Sequence, residues 1–454
     1  MKNRLLLIGY NFYPEPTGIG KYSGEMVSWF VSQGYDCTVV TSYPYYPFWK
    51  IQEPYYKRRF RYTIEKTVDA NSGGSLEIYR CPQYVPNNPS GLKRMVLDLS
   101  FLTSAFFPVL KLLAGKKFDY VMTVAPSFQL GLFGILFRKL HKAKFLYHIQ
   151  DLQIEAAKDL KLIKSKGVIN LLFKVEKYIF NKCDVISTIS PGMVVKVRNK
   201  AKKDVLLFPN WTDVNSFYPI EDKSNLKKKF SYEPSDKIVL YSGAIGEKQG
   251  LDSILTIANQ LRSLKNIKFI ICGSGPYKKE LQDLAKRLKL SNVNFMPLQP
   301  PSEFNDFLNL ADIHLVLQKA SAVDLVMPSK LSAILAVGGL AIVTANPGSG
   351  LHTLIKEHKI GVLVSAENID ELKACILNIV NNDYSAMNIN ARKYAEEYLR
   401  GDKILNAYES FIQSKRVGQE NILSDVSVAK VGALSSKIKE MKEPKSKLTI
   451  KINN

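Results

Sequence analysis

The chain has 454 residues, is 46% hydrophobic and 23% charged, and carries a formal net charge of +22. That length exceeds one ordinary core and predicts two domains, and the composition excludes a disordered or fibrous chain. The charge is uneven: Met1 to Asn215 holds 31 Lys+Arg against 16 Asp+Glu, while Tyr218 to Lys415 is nearly neutral, so the halves are expected to face different partners.

Five cysteines (Cys37, Cys81, Cys183, Cys272 and Cys375) lie far apart and form no CxxC pair. Buried, reduced thiols in a reducing cytoplasm are the expectation. The opening MKNRLLLIGYNFYP has an apolar part of a strand's length, too short for a signal core. No segment reads as a clean apolar membrane span.

In chain order, strands are predicted over Arg4–Gly9, Cys37–Thr41, Leu76–Arg80, Tyr120–Val124, Lys144–Ile149, Val185–Ile189 and Val205–Phe208. Helical patterns fall between several of them, at Lys21–Gln33, Phe128–His141, Val168–Lys182 and Gly192–Asn199. Such alternation means a parallel sheet covered on both faces. The second half repeats it, with strands over Ile238–Ser242, Lys268–Cys272, Val293–Met296, Ile313–Leu317, Leu340–Thr344 and Val362–Val364. The polar stretch Asn210–Lys229 marks the boundary. Ser385–Ser414 is helical, and Arg416–Asn454 reads as a basic, largely disordered tail.

Several stretches could carry chemistry. In NFYPEPTGIGKYSGEM, Gly18, Gly20 and Gly24 stand where a strand hands over to a helix, so backbone can approach an anion there. The spacing is not GxGxxG, which disfavours a nicotinamide dehydrogenase. Gly91–Gly115 is apolar, interrupted by Asp98, Pro108 and Lys111, and follows the basic run KRRFR at 57–61. It fits either a helix packed on the sheet or a shallow membrane contact. No nucleic-acid module presents the basic residues.

KFLYHIQDLQIE ends a strand with His148, Gln150 and Asp151, where residues face the cleft of a parallel α/β sheet. Asp151 could orient a hydroxyl, take its proton or cap the next helix. YSGAIGEKQG offers Gly243 and Lys248, and CGSGPYKKEL offers Gly273, each at a strand-to-helix turn. DLVMPSKLSAILAVGGLAIVTA places Asp324, Ser329, Lys330 and Leu331 around a helix N-terminus that opens at Pro328, an anion-binding position. GxxxxGK[ST], GxSxG, HExxH and DxD are absent, which removes the usual supports for kinase, serine hydrolase or metal-centred chemistry.

Taken together, the glycine loop, the strand-end QD, FPNWTDVNSFYP, SGAIGEKQG, ICGSGPYKKEL and the PSK helix resemble the retaining glycosyltransferases of family 4, with the GT-B fold. Within that family, the YPFW loop, HIQDLQIEAA and VMPSKL are most similar to colanic-acid-type polysaccharide glycosyltransferases. The resemblance implies two Rossmann-like domains with parallel sheets facing a cleft. Residues 1–215 would form the acceptor domain and 216–390 the nucleotide-sugar domain. Residues 391–415 would cross back to the first domain, with 416–454 as the tail.

It also implies a nucleotide-diphosphate sugar donor, transfer with retention of configuration, and no metal or other cofactor. Lys248 matches the diphosphate-binding lysine, with Gly18, Gly20, Gly243, Gly273, Asp324, Ser329, Lys330 and Leu331 on the donor side. His148, Gln150 and Asp151 fall on the acceptor side, with Asp151 and Lys248 as the catalytic pair. The acceptor would be an oligosaccharide or a polyprenyl diphosphate at the anionic inner face of the cell membrane. Two departures stand out: Ala244 replaces an expected arginine, and the two expected glutamates fall near Leu325 and Ala333. An epimerase of the same fold, or a catalytically weak partner subunit, remain the alternatives.

Overall fold

The computed structural model describes residues 2–87, 89, 91–155, 165–320 and 328–414. Asp324, Leu325 and the tail lie outside the described residues. The first domain is an eight-stranded sheet in the order β3-β4-β2-β1-β5-β6-β7-β8. Its strands are β1 (Arg4–Ile8), β2 (Asp36–Ser42), β3 (Thr63–Val68), β4 (Ser75–Cys81), β5 (Tyr120–Ala125), β6 (Lys144–Ile149), β7 (Val185–Thr188) and β8 (Leu206–Leu207). The central strands are apolar runs because helices cover both faces. All pairs are parallel except β3, which runs antiparallel to β4 at the edge. That strand had no counterpart among the predicted elements. TIEKTV is mostly exposed, so it lacks the buried apolar run that marks the others.

The second domain is a parallel six-stranded sheet in the order β11-β10-β9-β12-β13-β14. The strands are β9 (Lys237–Ser242), β10 (Ile267–Cys272), β11 (Val293–Met296), β12 (Ile313–Val316), β13 (Ala341–Thr344) and β14 (Val362–Val364). Every strand predicted for this half is present, with ends shifted by at most one residue.

Helices α1 (Gly18–Ser32), α2 (Gly91–Leu113) and α3 (Gly131–His141) flank the first sheet. On one face, Leu97, Phe101, Phe133 and Phe137 of α2 and α3 pack together. On the other, Met26 and Phe30 of α1 pack with Tyr408 from the helix Gly401–Gln413. The chain therefore does return to the first domain, but later than expected. The helix Ser385–Tyr398 belongs to the second domain: Ala391 and Ala395 pack against Leu335, and Arg392 donates to the carbonyls of Phe217 and Ala336, each at 2.6 Å. The crossing comes at Leu399–Gly401, where Thr212 of the outgoing linker donates to the Leu399 carbonyl at 2.8 Å. Tyr408 then stacks on Phe208 at 3.9 Å. The helical pattern over Ser385–Ser414 did not reveal which domain each helix served, because both helices are amphipathic.

By length and composition α2 is apolar enough to cross a membrane, with a mean hydropathy of 1.7, which revises the expectation that no such stretch exists. In the fold its inner side, through Leu97, Phe101, Ala105 and Val109, is built into the first domain's core.

Candidate active site

The cleft is formed where loops at the carboxyl ends of both sheets meet, the position at which parallel α/β sheets bind ligands. On the first-domain wall, α1 begins at Gly18, which adopts φ +67°. Gly20 is required by a close approach, since a methyl there would stand 2.3 Å from Glu15 Oε2. Glu15 is buried and accepts hydrogen bonds from Asn11 Nδ2 at 2.9 Å and from the backbone N–H of Tyr45 and Tyr46 at 3.1 and 3.0 Å. Burial pushes its carboxyl up to about 7 although these bonds pull the other way. Glu15 thus ties the glycine loop to the 43–47 loop. Sequence reasoning passed over it; an acid between two prolines ahead of a glycine loop was the available signal.

Asp151 follows β6. Its side chain is open to the cleft yet enclosed by protein on most sides, and this enclosure raises its carboxyl above the usual range. Lys248 of the second domain and Arg94 of α2 act in the opposite direction. The structure therefore brings the predicted pair Asp151 and Lys248 into one electrostatic field from opposite domains. Gln150 is buried beside Asp151.

His148 is placed elsewhere. It is buried, lies 3.0 Å from Ser187 Oγ through Nδ1, and packs edge-on to Phe208. Burial lowers its pKa to about 3, so it stays neutral and serves the core rather than an acceptor. Two groups that the strand-end reading missed join Asp151 instead. Asp98 on α2 accepts a hydrogen bond from Gln153 Nε2, and its carboxyl is raised to about 6 by burial. The Tyr10 phenol lies beside it.

On the second-domain wall, the loops after β9 and β10 are stacked so tightly that a methyl on Gly273 would meet the Gly243 carbonyl oxygen at 1.9 Å. Lys248 is exposed on a short 3-10 turn, Glu247–Gln249. The helix Ser329–Ala336 points its first turn at the same loop and has no side-chain cap; Pro328 is the N-cap residue, so the helix begins one residue after the predicted start. Its early N–H groups are therefore available to an anion. Lys330 reaches back to the Gly243 loop, and a methyl on Gly243 would stand 3.5 Å from its Nζ. That nitrogen is buried, has no hydrogen-bond partner among the described residues and lies 3.6 Å from the centroid of the Tyr241 ring. Burial lowers its pKa to about 7. Ser329 is exposed beside it, whereas Leu331 is fully buried in the core beneath the helix and offers the cleft no side chain.

Two family descriptions divide the chain at the linker. A glycosyl transferase 4-like domain matches residues 17–211, and glycosyl transferases group 1 matches 222–398. Over 413 residues the chain is 38% identical to a protein of Escherichia coli (strain K12) named as the colanic acid biosynthesis glycosyl transferase WcaI. The match covers 89% of this chain and 98% of that one.

This chain belongs to the group 1, family 4-like glycosyltransferases.

Its GT-B fold is shared with solved structures of low identity. Sucrose-phosphate synthase from Thermosynechococcus elongatus superposes with a TM-score of 0.67 at 15% identity, covering 91% of this chain and 98% of that one. Anabaena HepE in complex with UDP-glucose gives 0.61 at 12% identity, covering 90% and 99%. In this glycosyltransferase the two departures noted in the sequence take on a spatial meaning. Ala244 is exposed on the loop where an arginine was expected, and Lys330 stands beside the neighbouring Gly243. Ala333 is partly buried against the apolar cluster that includes Ile238 and Phe307, so no polar group replaces the expected glutamate at that point.

Proposed function

We propose that this glycosyltransferase moves a hexosyl unit from a nucleotide-diphosphate sugar to a lipid-linked or growing polysaccharide acceptor, with retention of configuration and without a metal. The reading places the reaction at the inner face of the cell membrane. The observation that carries it is Lys330: a buried ammonium with no hydrogen-bond or ion-pair partner among the described residues, next to a glycine loop and an uncapped helix start. A buried cation without a counter-charge is costly, and a diphosphate would supply the missing charge.

In this scheme the bond from the anomeric carbon to the diphosphate oxygen breaks as the acceptor oxygen bonds to the same face of the sugar. Lys248, Lys330 and the helix N–H groups stabilise the charge that develops on the leaving diphosphate. Asp151 accepts a hydrogen bond from the acceptor hydroxyl, and the hydroxyl proton passes to the departing phosphate. Glu15 fixes the glycine loop through the backbone N–H groups of Tyr45 and Tyr46.

A thermal-shift panel of UDP-, GDP- and TDP-sugars tests donor binding, because a ligand that binds only the native state raises its melting temperature. Transfer of radiolabelled sugar to extracted lipid, with and without EDTA, tests the reaction. Label appearing in lipid regardless of EDTA supports the proposal. Conversion of free donor without transfer would make the chain an epimerase, and neither outcome would leave it a partner subunit.

A further inference from the structure

The geometry points to the outer face of α2, together with the basic segment beside it, as a surface that lies flat on an anionic bilayer and holds the cleft mouth at the lipid headgroups. Helix α2 has two unlike sides. Its inner side is core, but Leu92, Met95, Leu99, Phe106, Phe107 and Leu110 are exposed along one stripe. Leu92 is 73% exposed and Phe107 65%. From Leu92 to Leu110 the stripe is about 27 Å long at the rise of an α-helix. No contiguous apolar stripe of that length is usual on a monomer surface without a partner.

The segment 56–62 runs alongside. Tyr62 donates to the Ser104 carbonyl at 3.0 Å, and its ring meets Phe107 at 6.4 Å. Phe60 beside it is 78% exposed. Lys57, Arg58 and Arg61 are exposed there, and Lys93 and Arg94 open α2. Among the described residues none of these five cations is ion-paired.

An apolar stripe bordered by unpaired cations matches the interfacial helices that sink their apolar side to the headgroup boundary. Two copies of this face would bring like charges together, which favours a bilayer over self-association. A transmembrane placement would require Phe101 and Asp98 to leave the packed interior.

The same helix joins this face to the cleft. Arg94 lies over the Trp49 ring at 5.2 Å and lowers the pKa of Asp151, while Asp98, one turn further, holds Gln153. A bilayer against α2 would therefore place an anionic lipid headgroup near Arg94, within reach of the acceptor side. This consequence rests on the sugar-transfer reading of the cleft; the docking surface itself does not.

The test is co-sedimentation of the full chain with phosphatidylcholine vesicles, with and without phosphatidylglycerol. The protein should bind the anionic vesicles, and added salt should weaken binding. The double variant Leu99→Asp/Phe107→Asp, checked for an unchanged melting temperature, should lose roughly tenfold or more in vesicle affinity. A second variant, Arg58→Glu/Arg61→Glu, removes no apolar area and should lose the preference for anionic vesicles. Failure of the wild type to bind, or wild-type binding by both variants, would overturn the inference. So would a wild-type dimer in light scattering that becomes monomeric in the aspartate variant, since a second copy would then cover the face. Vesicle binding without any nucleotide-sugar binding would leave the surface intact and refute the transferase scheme instead.

Discussion

The Lys330 ammonium lies 3.6 Å from the centre of the Tyr241 ring and makes no hydrogen bond among the described residues. The ring face compensates part of the charge, but burial still lowers the pKa of the amine to about 7. The unfolded chain holds this proton up to the ordinary lysine range, so between the two values the unfolded state binds more protons. Stability contributed here therefore rises with pH above about 7 and is lowest below it. Lys330→Met should stabilise the ligand-free protein at pH 6 by on the order of 1–3 kcal/mol. The same variant should bind nucleotide sugar at least roughly tenfold more weakly. Chemical denaturation and calorimetric titration read the two effects separately. A variant that is destabilised at pH 6 would contradict this account of the site.

Proton linkage gives a second prediction. A diphosphate next to Lys330 stabilises its charged form, so binding above pH 7 must take up a proton. Nucleotide-sugar affinity should be level below about pH 7 and should fall as pH rises beyond it. Lys330→Met should flatten that dependence. A nucleotide sugar is the suitable probe because its diphosphate is esterified at both ends and does not itself titrate in this range.

Lys248 acts electrostatically on Asp151 from the other domain, and their roles should separate kinetically. Asp151→Asn should leave donor affinity within about twofold while transfer falls on the order of a hundredfold. Lys248→Ala should weaken both donor binding and transfer, because its charge acts on the diphosphate in the ground state and more strongly as the bond breaks. Equal losses of donor binding in both variants would remove Asp151 from the acceptor side.

Glu15 and Gly20 predict a packing effect. A methyl on Gly20 would approach Glu15 Oε2 to 2.3 Å, and Glu15 cannot retreat without releasing Tyr45 and Tyr46. Gly20→Ala should cost about 1–3 kcal/mol of stability and displace the glycine loop. Glu15→Ala in the same background should recover little, because the two backbone N–H groups would then be unsatisfied. Thermal melting of the single and double variants measures this coupling.

The sequence by itself determined the two sheets, the order in the chain of all their strands except β3, and the loops that bear the cleft residues. Strands such as Lys144–Ile149 and Ile267–Cys272 are buried on both faces, and that burial leaves unbroken apolar runs which read the same in one dimension as in three. Side-chain direction was a different matter. His148 and Gln150 share a strand side by period, yet only the helix Gly401–Gln413, more than 250 positions later, covers His148 through Phe208 and Tyr408. Leu331 follows Lys330 immediately, and the helical turn sends one toward the Gly243 loop and the other into the core.

The tertiary structure alone decided that Lys330 lacks a hydrogen-bond partner among the described residues, that Lys248 acts on Asp151 from the other domain, and that one side of α2 is open. Each of these depends on what distant segments do or do not place nearby. Local sequence records the preference of a residue for water or core; it does not record which neighbours the fold supplies.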